Sequence, residues 1–263
     1  MNSGTNTLLM GPTGSGKTYC LRTFIDAGIT PFILSTEPGI ESTLGDIPKD
    51  KIHWHYIPPA SIGWDELLDS ARKINTFDIK ALSSLSDINK RKYQQFMEVI
   101  AQCNNFHCQR CDQDFGDVST WGPDRAFVVD SLSGLNIMAM NLVVGSKPMK
   151  AMADWGIAMD NLERLITKLT TDTKCYFVLT AHTERETDEV TGGTAVMVST
   201  LGRKLAPKLP RFFDDVVLCI KDGDQFTWST TTHGVDLKNR NLPLSSKIPP
   251  TFKTIVDRRK EAL

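Results

Sequence analysis

Gly11-Pro12-Thr13-Gly14-Ser15-Gly16-Lys17-Thr18 is the stretch whose reading decides the fold. It fits the phosphate-cradling pattern G-x-x-x-x-G-K-[ST]. A short β-type run, Thr5 to Met10, leads into it. Behind it, Lys17 to Ala27 reads as a helix stopped by Gly28. Strand, glycine loop and helix in that order separate a nucleotide site from a chance match. Glycines let the backbone close around a pyrophosphate, so that successive N–H groups point inward as an anion nest. The positive end of the following helix adds to the attraction. Lys17 is expected at the β- and γ-phosphates and the Thr18 hydroxyl on Mg²⁺, with ATP as the ligand.

Around this loop, the chain has 263 residues, 40% of them hydrophobic and 23% charged, with a net charge of −1. That composition suits one globular core with room for a small insert, and a single domain is expected over 1–263. A near-neutral balance excludes a polycation, so nucleic-acid binding would have to come from a local patch. The N-terminus lacks an apolar stretch after basic residues. The longest apolar run, Leu135 to Val144, is interrupted by Asn136 and Asn141 and is too short for a bilayer. The expectation is a cytoplasmic protein without a membrane partner. Six cysteines do not suggest a disulfide framework at this length. Cys20, Cys175 and Cys219 fall in core elements, while Cys103, Cys108 and Cys111 cluster.

Pro31 to Thr36 (PFILST) is an unalternating apolar run, as a strand buried on both faces should be, and Ile52 to Ile57 is a candidate third strand. Trp64 to Ala101 reads as two polar helical pieces. One has a face of Leu67, Leu68, Ala71 and Ile74; the other has Tyr93, Phe96, Met97 and Ile100. With the cysteine-rich stretch, this makes a helical and cysteine-rich insert over 60–124. Ala126 to Val129 is a buried strand ending in Asp130. Asp154 to Thr170 is the best helix, with Trp155, Ala158, Met159, Leu162, Leu165, Ile166 and Leu169 in its stripe and Asp160 and Arg164 spaced to pair outside. Cys175 to Thr180 is another buried strand, ending at Ala181-His182. Phe213 to Ile220 and Gln225 to Thr230 read as strands joined by the Asp222-Gly223-Asp224 turn. Strands alternating with helices predict an α/β fold: a mostly parallel sheet covered on both faces, its ligand at the carboxyl edge, with antiparallel strands added at one side.

Asp130 closes a hydrophobic strand, where a P-loop ATPase places its Mg²⁺-organising carboxylate. Glu37 ends the strand expected beside it, placed to hold a water in line with the γ-phosphate; Glu41 is the fallback. His182, at the end of the strand after that of Asp130, is placed to touch the γ-phosphate.

Together, GPTGSGKT, FILSTE, FVVDS and FVLTAH resemble the RecA-type ATPase core. The chain is similar to the RecA-like ATPases that bacteriophages carry with their recombination and single-strand annealing genes, over roughly residues 5–45, 125–182 and 199–241. The resemblance implies that the Cys175–Thr180 strand lies between the P-loop strand and the Asp130 strand. It also implies that Glu37 activates water and that His182 senses the γ-phosphate, where RecA recombinases usually have Gln. Lys238-Asn239-Arg240 resembles the basic Lys-x-Arg that hexameric RecA-fold helicases reach into a neighbour's ATP site. A guanidinium supplied in trans there would neutralise charge on the transferred phosphoryl. In RecA-like proteins the loop after the sensor strand contacts single-stranded DNA. Here Glu184 to Arg211 holds Gly192-Gly193 and then Arg203, Lys204, Lys208 and Arg211 to track phosphates. A homo-oligomer, ring or filament, follows from the same resemblance, with an annealing or single-strand-binding protein as a further partner and, for a phage-encoded chain, the host cytoplasm as location. A nucleotide switch or small-molecule kinase without DNA binding is the alternative on the same loop.

The spacing Cys103-x4-Cys108-x2-Cys111 points to a structural Zn²⁺ on thiolates. A fourth ligand is required. His107 is adjacent to Cys108, an awkward geometry for one ion, and His53 or His55 could take its place.

Overall fold

The computed structural model describes residues 4–85, 90–187, 194–202 and 204–262. Strands β1 (Asn6–Met10), β2 (Thr30–Ser35) and β3 (His53–Tyr56) alternate with short helices α1 (Lys17–Cys20), α2 (Thr23–Asp26) and α3 (Ile40–Leu44). Helices α4 (Trp64–Thr76), α5 (Ile79–Ser84) and α6 (Gln95–Asn104) follow, then a two-stranded hairpin, β4 (His107–Cys108) and β5 (Gln113–Asp114). The chain returns to the sheet as β6 (Arg125–Asp130), crosses it through α7 (Leu132–Val144) and α8 (Met152–Asp172), and re-enters as β7 (Tyr176–Ala181). A second hairpin, β8 (Thr183–Thr187) and β9 (Thr194–Val198), precedes β10 (Asp215–Asp222), β11 (Gln225–Ser229), β12 (Lys238–Asn239) and α9 (Lys253–Glu261).

The main sheet runs β11-β10-β1-β7-β6-β2-β3, with β12 also paired to β10. From β10 to β3 every pairing is parallel, and β11 and β12 are antiparallel. As expected, β7 lies between the P-loop strand and the Asp130 strand, and β2 borders β6. The period of two in a strand divides each apolar run between the two faces. Leu8, Met10, Phe127, Val129, Phe177 and Leu179 face α6, α7 and α8, while Leu9, Val128, Val178 and Val217 face α1, α2, α3 and α9. In α8 Ala158, Leu162, Leu165, Ile166 and Leu169 of the expected stripe are buried, Trp155 and Met159 are only partly so, and Arg164 meets Asp160 at 2.8 Å on the outside.

The segment between β3 and β6 is not the polar appendage that its composition suggests. Its second half is core: Phe96, Val99, Phe106, Cys108, Val118 and Trp121 join Phe32 and Phe127 in one cluster. Its first half differs, because α4 buries no residue and leaves Leu67, Leu68 and Ile74 exposed. In α6 the buried pair is Phe96 and Val99, whereas Met97 and Ile100 stay about half-exposed, so the expected face is rotated. Among the described residues, no helix is long and apolar enough to cross a membrane.

Candidate active site

The glycine loop leaves β1 at the carboxyl edge of the sheet, and Gly11 N–H bonds the Ala181 carbonyl at 3.1 Å. Gly14 and Gly16 have φ of 74° and 83°, a backbone that side-chain-bearing residues rarely adopt. At Gly11 a Cβ would lie 2.7 Å from the Cys219 carbonyl oxygen. The Lys17 ammonium spans the loop, donating to the carbonyls of Gly11 and Pro12, each at 2.9 Å. Burial pulls that ammonium below the usual lysine range, opposed by the nearby Cys219 thiol and the Asp130 and Glu37 carboxylates.

Asp130, at the end of β6, is held from two sides. Thr18 Oγ1, opening α1, donates to Oδ2 at 2.8 Å, and Thr180 Oγ1, on β7 and fully buried, donates to Oδ1. Burial pushes the Asp130 carboxyl above its ordinary range, and the two hydroxyl donors act against that shift.

Glu37 follows β2 and faces the same space. Ser131 Oγ donates to its Oε1, and its Oε2 lies 3.4 Å from His182 Nε2. The other ring nitrogen of His182 is 3.5 Å from Thr13 Oγ1 in the glycine loop. Ser131 is fixed in turn. Its N–H bonds Thr36 Oγ1 at 2.9 Å, Thr36 Oγ1 donates to its carbonyl at 2.8 Å, and its side chain caps α7 by accepting from Ser133 N–H at 3.2 Å. Glu41, the fallback acid, is exposed in the first turn of α3 and does not line the cleft.

Thr13 to Thr18, Glu37, Asp130 and His182 thus line one cleft of about 680 Å³, together with Tyr19, Phe226 and Pro250. A nucleotide with Mg²⁺ suits this donor set. The Gly14 and Gly16 backbone leaves the loop concave, and Ser15 Oγ is buried within it without a hydrogen-bond partner. Thr18 and Asp130 offer hard oxygens, which a divalent cation of the Mg²⁺ type prefers. Arg22 is turned away, paired with Asp46 at 3.1 Å and stacked 4.0 Å over Tyr19. Thr180, Ser131 and Thr36 are not singled out by the sequence; the one signal is that Ser131 and Thr36 adjoin Asp130 and Glu37, and that Thr180 lies two residues before His182.

A family model described as an AAA domain matches residues 3–241. The chain belongs to the AAA_24 family of AAA domains. It is therefore a P-loop ATPase domain. The AAA domain is similar to a solved structure described as the pCW3 conjugation coupling protein TcpA, monomer form with ATPγS. The likeness has 14% identity and a TM-score of 0.33, over 82% of this chain. This chain spans about half, 49%, of that one. No curated protein matches it.

The remaining candidates lie elsewhere on the AAA domain. Lys238 and Arg240 sit beside the start of β10, at the sheet edge opposite the cleft of their own chain. Lys238 Nζ donates to the Phe213 carbonyl at 2.5 Å, and Arg240, mostly exposed, pairs with Asp214 at 2.7 Å. Lys208 and Arg211 are both tied to Glu163 of α8, at 3.1 and 3.5 Å, and Lys204 is exposed. Arg203, Gly192 and Gly193 lie outside the described residues.

The structure divides the cysteine cluster, contrary to the expected set of Cys103, His107, Cys108 and Cys111. Cys103 points from α6 into the core; burial, then the Asp117 carboxylate, push its thiol up to about 12. His107 turns outward to Asp112 and Asp114, at 3.4 and 3.2 Å. Neither joins Cys108 and Cys111, and His53 from β3 does. Spacing favoured the sequence neighbours, but the helical end of α6 and the outward ring of His107 carry them away.

Proposed function

We propose that this ATPase domain hydrolyses ATP with Mg²⁺ as a RecA-like motor or recombination protein acting on single-stranded DNA as an oligomer. The carrying observation is the place of Glu37, in the same cleft as the Thr18–Asp130 pair, at the end of the neighbouring strand and hydrogen-bonded to Ser131 and His182. A carboxylate there can take a proton from a water attacking in line, which favours hydrolysis over transfer to a small acceptor. Thr18 and Asp130 would hold Mg²⁺, which when bound neutralises charge on the phosphoryl oxygens. Lys17 supplies the fixed cation.

His182 supports the link to DNA. It is the single residue between β7 and β8, so a side chain touching Glu37 and the glycine loop sits on the backbone that enters the β8–β9 hairpin. Lys204, Lys208 and Arg211 follow that hairpin and are the groups to meet phosphates, Lys208 and Arg211 after leaving Glu163. The oligomer rests on Lys238 and Arg240, which lie at the sheet edge away from their own cleft and would leave the Phe213 carbonyl and Asp214 to enter a neighbour's.

ATP turnover measured with and without Mg²⁺ and a single-stranded oligonucleotide tests the reading. Mg²⁺-dependent turnover that rises with the oligonucleotide is expected. Turnover indifferent to it, with no binding of the oligonucleotide in the presence of ATP, would remove the DNA part and leave the ATPase.

A further inference from the structure

The ATPase reading leaves one side-chain cluster unused. His53 on β3, Cys108 on β4 and Cys111 in the turn beyond it bring their ligand atoms within 4.8 Å of one another. His53 Nδ1 and Cys111 Sγ are 3.5 Å apart. A tetrahedral zinc, with Zn–S of about 2.3 Å and Zn–N of about 2.0 Å, needs an N-to-S separation of about 3.5 Å.

The three groups come from separate elements that other contacts hold in register. The His53 ring lies against Phe32 and Phe115, with centroids 4.7 and 4.4 Å away. The turn between the two cysteines is closed by Asp112 N–H to the Cys108 carbonyl at 2.9 Å. Gln109 fastens that turn to β3, its N–H to the Trp54 carbonyl at 3.0 Å and its side-chain amide to Tyr56 N–H and carbonyl at 2.9 and 3.1 Å. Arg110 adds bonds to the carbonyls of Ile47 and Ile52 at 2.8 and 3.2 Å.

Among the described residues no fourth His, Cys, Asp or Glu joins the group. His55 is committed elsewhere, its Nδ1 to the His107 carbonyl at 2.8 Å and its Nε2 to Glu98 at 3.2 Å. His53 and Cys108 are buried and Cys111 is partly exposed, so the remaining coordination direction opens beside Cys111.

We infer that His53, Cys108 and Cys111 bind one zinc-class divalent ion whose fourth position is open to solvent and small ligands. Two sulfurs and one imidazole suit a thiophilic ion and not Mg²⁺ or Ca²⁺. The site then resembles in coordination the exchangeable zinc centres, with three protein ligands, and not the closed structural ones.

The full chain is purified without chelator, its metal content measured, and the ion exchanged for Co²⁺. About one zinc per chain is expected, the stoichiometry of a single site. The Co²⁺ form should show thiolate charge-transfer bands, and its visible bands should move when imidazole is added. Cys111→Ser and His53→Ala should lose the ion and the bands, while Cys103→Ser and His107→Ala keep both. Cys111 is partly exposed, so Cys111→Ser remains informative if His53→Ala fails to fold; circular dichroism checks each variant. Absence of zinc together with no Co²⁺ bands overturns the site. Loss of metal in Cys103→Ser with retention in Cys111→Ser assigns it to the wrong residues. Bands unmoved by imidazole refute the open position. None of these readouts depends on ATP turnover.

Discussion

Replacing Thr180 by Val removes the hydroxyl that donates to Asp130 Oδ1 and keeps the side chain's shape. Thr180 is fully buried, so water cannot take the place of the lost donor. A hydrogen bond to a charged group contributes about 1.5–3 kcal/mol net. The bond is present before any ligand binds, so its loss falls partly on the fold; at about 1.4 kcal/mol per decade, Mg²⁺–nucleotide affinity should fall, by at most roughly 100-fold. Two pH effects of opposite sign accompany this. The Asp130 carboxyl is already raised by burial, so the fold favours its neutral form. Stability tied to this group is fully present below its unfolded value and is lost as pH rises through the folded one. Thr180→Val raises the folded value further, so the variant should melt earlier at neutral pH and recover on acidification. Mg²⁺ binding needs the carboxylate, so it should fail on acidification, and at a higher pH in the variant. Calorimetric titration of Mg²⁺ and nucleotide across pH, with thermal melting alongside, reads both. Wild-type affinity and an unmoved acid limb in Thr180→Val would refute the assignment of Asp130 as a metal carboxylate held by Thr180.

Glu37→Gln should bind ATP and lose hydrolysis by about 10²–10⁴, the usual contribution of a general base; the same phenotype in Glu41→Gln instead would move the role to α3. Arg240→Ala should bind ATP yet turn over slowly, and mixing it with Lys17→Ala should restore part of the activity, measured per subunit. No rescue in a chain that stays monomeric at all concentrations would exclude action in trans. At Gly134 a Cβ would fall 2.2 Å from Thr36 Oγ1 and 2.8 Å from its carbonyl oxygen. Gly134→Ala should therefore cost about 1–3 kcal/mol as overpacking, read by denaturant melting, and displace Ser131 and Glu37 with it.

What was legible follows from burial. A run such as PFILST has no polar side to alternate with because helices cover both faces of β2, so both its strand character and its parallel neighbours could be expected. The same physics hid α7. Its Leu132, Leu135, Met138, Ala139 and Val144 are buried with Met140 beside them, leaving no clear polar stripe. The helix after the glycine loop reads as one from its composition. It breaks between α1 and α2, where Thr23 Oγ1 bonds back to the Cys20 carbonyl at 2.6 Å. In the site, residues at strand ends could be named one by one, because a strand's last polar residue must leave the core. Their mutual support could not. Ser131 reaches Glu37 only because β2 and β6 are neighbours in register, Ser35 beside Asp130. His53 reaches the cysteines through the docking of a hairpin on β3, a contact that no local spacing encodes.

The β8–β9 hairpin is fastened at its base and along β9. At the base, Ser199 N–H bonds the His182 carbonyl at 2.8 Å; along β9, Val196 N–H bonds the Gly234 carbonyl at 2.9 Å, and the chain runs on from there to Lys238 and Arg240. A cavity of about 330 Å³ adjoins it, lined by Met10, Val198, Ala206, Pro210 and Val235. The hairpin thus links the nucleotide edge of the sheet, at His182, to the segment that leads to Lys238 and Arg240. Thr183 to Thr187 makes an arm of about 17 Å at roughly 3.4 Å per residue, so a tilt of about 5° at His182 moves its far end by about 1.5 Å. A displacement at the nucleotide edge would therefore act, through the Val196–Gly234 bond, on the segment that leads into β12 and Arg240.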